Sequence, residues 1–143
     1  MEWIGVIVAG LAGFGFGAVW YTVLAGPWRK AVGLSEEEAK AGMSRPAPFV
    51  VGVLGALVVA GMMRHAFVAG GVTDFVESVV SGFGVGAFFA APWLALSYGF
   101  AQRKTALTLI DARHVTGPCT VLGLVLSLFL HGFHFPATPN PPP

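Results

Sequence analysis

Between Trp3 and Leu24 the chain is apolar for about one bilayer thickness, since ~20 helical residues at ~1.5 Å each cover the ~30 Å hydrocarbon core. Within that stretch Gly5, Ala9, Gly13 and Gly17 recur every four residues, which puts four small residues on one face of a helix. Lipid tails are as apolar as leucine, so helices in a membrane associate through close packing, and a small-residue seam permits it. Glycine is common in membrane helices anyway, but the strict register points to a seam. Trp20 and Tyr21 then stand where an aromatic belt is expected, and Arg29 and Lys30 follow in the first loop. Such a stretch makes the chain a membrane protein.

Three more apolar spans follow, at about 49–68, 76–98 and 114–133. The second carries Gly52, Ala56 and Ala60 four apart, and the third Ser78, Gly82, Gly86 and Ala90. The expected fold is an all-α membrane protein with four transmembrane helices in a bundle. This domain covers residues 1–134, and 135–143 form a proline-rich extended tail. Pro92 should kink the third helix. The stretch from Thr105 to Ala112 reads as an interfacial turn or helix ahead of the fourth crossing, which Gly117-Pro118 would bend near its start. In the first loop Ser35 and Glu38 have the spacing of a capping box, which starts a short interfacial helix that Gly42 and Pro46 end. Spans one and three each place a tryptophan three residues after the last rung of the ladder (Gly17 to Trp20, Ala90 to Trp93). That is a faint internal repeat, which shared packing demands explain equally well.

With 55% hydrophobic and 10% charged residues, the chain is unlike an ordinary soluble domain. The placement of its charges is more informative than their net value of +1. Arg29, Lys30, Lys40 and Arg45 lie between the first two spans, and Arg103, Lys104 and Arg113 between the last two. Arg64 alone falls inside a span. This bias predicts both basic loops in the cytoplasm and both termini outside. Glu2 stands where a signal peptide would be basic and no A-x-A-like site follows, so the first helix is expected to remain as an anchor. A single cysteine, Cys119, excludes an intramolecular disulfide and any multi-cysteine metal site, and suits a packing role. Nothing supports nucleic-acid binding.

Two polar clusters are candidates for function, because ionisable groups at membrane depth are costly. The outer one comprises Glu2, Arg64, His65, Asp74, Glu77, His131 and His134. Arg64, about one turn below the surface, is expected to snorkel outward and pair with Glu77 or Asp74. The alternatives are a ligand site, or a metal site from His131 and His134 with a carboxylate, which lacks a fixed third ligand. The inner cluster comprises Asp111, Arg113 and His114, near Tyr21, Tyr98 and Arg103. Asp111 and His114 share a face if the helix is continuous. An interfacial ion pair is the expected reading and proton handling the alternative. No catalytic residue, metal ligand or cofactor is expected.

Trp20-Tyr21, Leu24, Gly26 and Trp28, followed by Gly33-Leu34-Ser35-Glu36-Glu37, resemble the first conserved block of a bacterial membrane family, domain of unknown function 1761. Leu109-Ile110-Asp111-Ala112 is similar to its second block, though members often carry a tyrosine soon after, where this chain has Arg113-His114. The resemblance implies the four-span architecture and no established activity. The expected function is a non-enzymatic accessory or structural bundle that packs against itself or another integral membrane protein. The alternative is a small transporter or channel.

Overall fold

The computed structural model describes residues 2–130, apart from the side chain of Glu2, so the expectations for His131, His134 and the tail lie outside the described residues. Seven α-helices and one π-helical stretch make up this part: α1 Glu2–Val23, α2 Ala25–Val32, α3 Glu36–Met43, α4 Pro46–Ala69, α5 Phe75–Gly84, the π-helical stretch Val85–Ala90, α6 Ala91–Phe100 and α7 Thr105–Leu130. No strand occurs among the described residues. Four units are long and apolar enough to cross a membrane: α1, α4, the continuous run Phe75–Phe100, and α7. The chain is an all-α, multi-pass membrane protein.

The centre of the fold is α7, which is the least apolar of the four spans. On one side it meets α1 and on the other α5, the π stretch and α6, while α4 packs on the far side of α1. The helices thus stand in the order α4, α1, α7, α5–α6. The third span is not packed against α4, and α4 reaches α7 only where Met63 and Phe67 join Leu122 and Leu126 in the small core.

The closest approaches in this row set a small residue on one helix against a larger group or bare backbone on the next. Down the α1 seam, a Cβ built on Gly5 would lie 2.9 Å from Phe129 Cβ, one on Gly13 3.4 Å from Leu122 Cγ, and one on Gly17 2.7 Å from His114 Nε2. Ala9 is fully buried between them. The α4 ladder faces α1, with Gly52 under the Phe14 ring and Ala60 fully buried. The third ladder faces α7 from the other side. A Cβ on Gly82 would lie 2.5 Å from the Cys119 carbonyl oxygen, and one on Gly86 2.5 Å from Thr116 Cα. The return contact is Gly123 against the Ser78 carbonyl. All three seams are therefore used within the chain, and Cys119 is a buried packing residue in the core.

Three local expectations are revised. The fourth span does not break between Ala112 and His114: a single helix runs from Thr105 through Pro118 to Leu130. Its polar residues do not interrupt it, because Asp111 and His114 find partners on neighbouring helices. Ahead of Pro92 lie six π-helical residues, Val85–Ala90, a local widening that the sequence reading did not include. The first loop holds two helices rather than one. The unforeseen α2 ends at Gly33, whose φ of 87° is left-handed and suits glycine, and the amides of Gly33 and Leu34 both donate to the Arg29 carbonyl.

The capping box at α3 is present. Ser35 Oγ accepts from the Glu38 amide at 3.2 Å, and Glu38 Oε2 accepts from the Ser35 amide at 2.8 Å. Glu36 bridges Lys40 at 2.9 Å and Arg29 at 3.3 Å, and those cations, Lys40 foremost, hold its carboxyl below the usual range. Lys104 Nζ donates to the Lys30 carbonyl at 3.2 Å, so the two basic connections meet at one end of the row.

Candidate functional site: a carboxylate held by two phenols

At that basic end lies the one acidic side chain that is buried among the described residues, Asp111, which is 5% exposed. It sits in the second turn of α7, about 9 Å along the axis from Thr105. Its two oxygens have separate partners: Tyr21 of α1 donates to Oδ1 at 3.0 Å, and Tyr98 of α6 donates to Oδ2 at 2.8 Å. A single carboxylate therefore ties together three helices that the chain brings in from separate crossings.

His114 follows one turn later on the same face of α7, its ring centroid 4.4 Å from that of Tyr21. Its Nε2 occupies the space that a side chain at Gly17 would need, so the last rung of the α1 ladder makes room for the imidazole. Trp28 of α2 meets Tyr21 edge-on at 5.5 Å, and Phe16 stacks on Trp20 at 6.0 Å. Trp20 Nε1, Trp28 Nε1 and Arg29 Nε are enclosed without an acceptor among the described residues. All three belong to the C-terminal end of α1 or to α2.

The structure brings Asp111 and His114 together and leaves Arg113 out. Arg113 is exposed, and the expected ion pair is replaced by the two phenolic hydrogen bonds. Sequence reasoning had Tyr21 and Tyr98 nearby, at the ends of their spans, but did not identify them as the partners. The signal it lacked was contact between α6 and α7, which no local pattern encodes.

Of the outer cluster, Arg64, His65, Asp74 and Glu77 have described side chains. Asp74 is the N-cap of α5, its Oδ1 accepting from the amides of Val76 at 2.8 Å and Glu77 at 3.1 Å. The ion pairs between described residues are Arg29–Glu36 and Lys40–Glu36, so Arg64 is not joined to Asp74 or Glu77. Arg64 and His65 instead line a cleft between α4 and the start of α1. No group of three or more His, Cys, Asp or Glu suited to a metal occurs among the described residues.

Comparison with curated proteins and with solved structures finds no match to this chain. A family profile does match, over residues 4–127, which takes in both blocks of the resemblance and all four apolar spans except Trp3 and the last three residues of α7. The chain belongs to the family described as Protein of unknown function (DUF1761).

Proposed function

We propose that this chain is a non-enzymatic accessory or structural protein of a bacterial inner membrane that packs against a second copy of itself or another integral membrane protein. The observation that carries this reading is the open row. Helices standing α4, α1, α7, α5–α6, with the third span not packed on α4, do not close into a ring among the described residues. A single copy of such a row is poorly suited to conduct a solute. Its two outermost spans are each covered on one side only, and the uncovered side of the third is rich in rings: Phe83, Phe88, Phe89, Trp93 and Phe100 are all exposed. Aromatic side chains of this kind are favoured at interfaces between proteins as well as against lipid.

The small-residue seams are used within the chain, so they do not carry this reading. The support comes from the arrangement of the helices. The Asp111 clamp fits the same reading as a device that fixes the basic end of α1, α6 and α7.

A small transporter is the second reading, and one observation favours it. A buried carboxylate with an imidazole one turn away, beside three enclosed donors, is chemistry that could take part in passing an ion. Affinity purification of the full chain from native membranes after crosslinking separates the two. A stoichiometric second copy or partner is expected. A lone chain that drives solute or proton flux in proteoliposomes, and loses it in Asp111→Asn, would overturn the accessory reading.

A further inference from the structure

The cleft at the opposite end of the row from Asp111 is lined by Trp3 and Val6 of α1 and by Gly61, Arg64, His65 and Val68 of α4, and holds about 220 Å³. It combines a cation, an imidazole and an indole with an apolar floor.

Its depth can be placed. The 24 residues of α4 span about 36 Å, so they overrun a ~30 Å hydrocarbon core by about 3 Å at each end if centred. Arg64 is five residues from the end of α4, about 7.5 Å along the axis, so its Cα sits about one turn below the hydrocarbon edge. A long basic side chain at that depth can snorkel, bringing its guanidinium outward to within hydrogen-bonding reach of lipid phosphates. The half-buried Arg64 has five N–H donors, more than one acceptor group can use, in the planar fork that fits two oxygens of a phosphate. His65, the next residue, lines the same cleft and adds a ring donor. Trp3, 77% exposed at the start of α1, is placed as an interfacial indole would be. Gly61, one turn deeper, keeps the floor open: a Cβ there would lie 3.9 Å from Val6 Cγ1, and a larger side chain would fill the space.

We propose that the Trp3–Gly61–Arg64–His65 cleft binds a phosphate group, with Arg64 as the bidentate contact, and that its source is the phosphodiester of an anionic phospholipid whose chain lies along Val6 and Gly61. Free inorganic phosphate presents the same oxygens without the chain. The two sources differ in whether the apolar floor contributes.

The test uses the full chain in detergent, with retained lipid read by native mass spectrometry and melting temperature read in parallel. Phosphatidylglycerol, inorganic phosphate and diacylglycerol are added separately. Phosphatidylglycerol should be retained as a discrete adduct and raise the melting temperature, and diacylglycerol should do neither. Arg64→Lys, which keeps the charge but loses the fork, should bind about tenfold more weakly, equivalent to about 1.4 kcal/mol. Arg64→Gln and His65→Gln should weaken retention further or comparably. Gly61→Leu leaves Arg64 in place and tests the floor independently, so the proposal stays open to refutation even if an Arg64 variant fails to fold. Gly61→Leu should abolish lipid retention. Equal stabilisation by inorganic phosphate, lost in Arg64→Gln but kept in Gly61→Leu, would support the phosphate site and assign it to the free ion. Undiminished phosphatidylglycerol retention in both Arg64→Gln and Gly61→Leu, or equal retention of diacylglycerol, would overturn it.

Discussion

Asp111 is held where a carboxylate is expensive, and its two phenols are what make the position tolerable. Hydrogen bonds between membrane helices average about 0.6 kcal/mol and reach about 1.7, because the separated helices find other partners. Leaving a buried charge with no partner costs more, about 3–5 kcal/mol. Removing one phenol should therefore be mild and removing both should be worse than additive. Tyr21→Phe and Tyr98→Phe are each expected to cost about 1 kcal/mol, and the double variant about 3–5 kcal/mol, in unfolding measured in detergent. Replacing Asp111 with Asn in the double background should then recover stability, because the uncompensated charge is gone. Strict additivity would mean that water reaches the carboxylate once a tyrosine is cut back. The cluster was only partly legible in the sequence. Asp111 and His114, three apart, share a helix face and could be paired by spacing alone. Arg113 was the natural ionic partner by proximity in the chain, yet residues two apart on a helix point about 200° apart, so it faces away from α1 and α6.

Among the elements, the ladders were legible and their destinations were not. Four-residue spacing identified Gly5, Gly13, Gly17, Gly52, Gly82 and Gly86 as rungs because small residues in register leave a groove whatever fills it. The occupants, Phe129, Leu122, His114, Phe14 and the α7 backbone, come from distant segments. The π-helical stretch was illegible for a similar reason. Proline explains a lost donor, but the widening falls where Gly86 lies against Thr116 of α7, a contact that no local pattern encodes. The rungs differ in what they can tolerate. A Cβ at Gly82 would meet backbone on two sides, Cys119 O at 2.5 Å and Gly123 Cα at 3.1 Å, and neither can yield as a side-chain tip would. Gly82→Ala should lower stability by about 1–3 kcal/mol, the range of an overpacked core. Gly55 and Gly99 have nothing within 4 Å of that position, so Gly55→Ala and Gly99→Ala should be neutral or gain up to about 1 kcal/mol from helix propensity. Melting temperatures of the three variants in one detergent check the order, and equal losses at all three would mean that α5 and α7 do not touch as described.

At the scale of the whole molecule, the row has two chemically different ends. Lys104 reaching the Lys30 carbonyl brings the two basic connections together, and Arg29, Lys40 and Arg45 belong to the same stretch of chain. The connection between α4 and α5 at the other end carries Asp74 and no lysine or arginine. Positive residues in short loops are retained on the cytoplasmic side. The basic end, with the Asp111 clamp just inside it, is therefore expected in the cytoplasm, and the Arg64 cleft in the outer leaflet. Glu37 in α3 and Thr73 before α5 are both exposed and report on the two ends. With Cys119 replaced by alanine, Thr73→Cys should react with a membrane-impermeant maleimide in intact cells, and Glu37→Cys only after the membrane is opened. The reverse pattern would put the clamp outside and the cleft inside. Labelling of both sites in intact cells would mean that the chain inserts in both directions, and any self-association would then include antiparallel pairs that bring one copy's Asp111 end beside the other's Arg64 end.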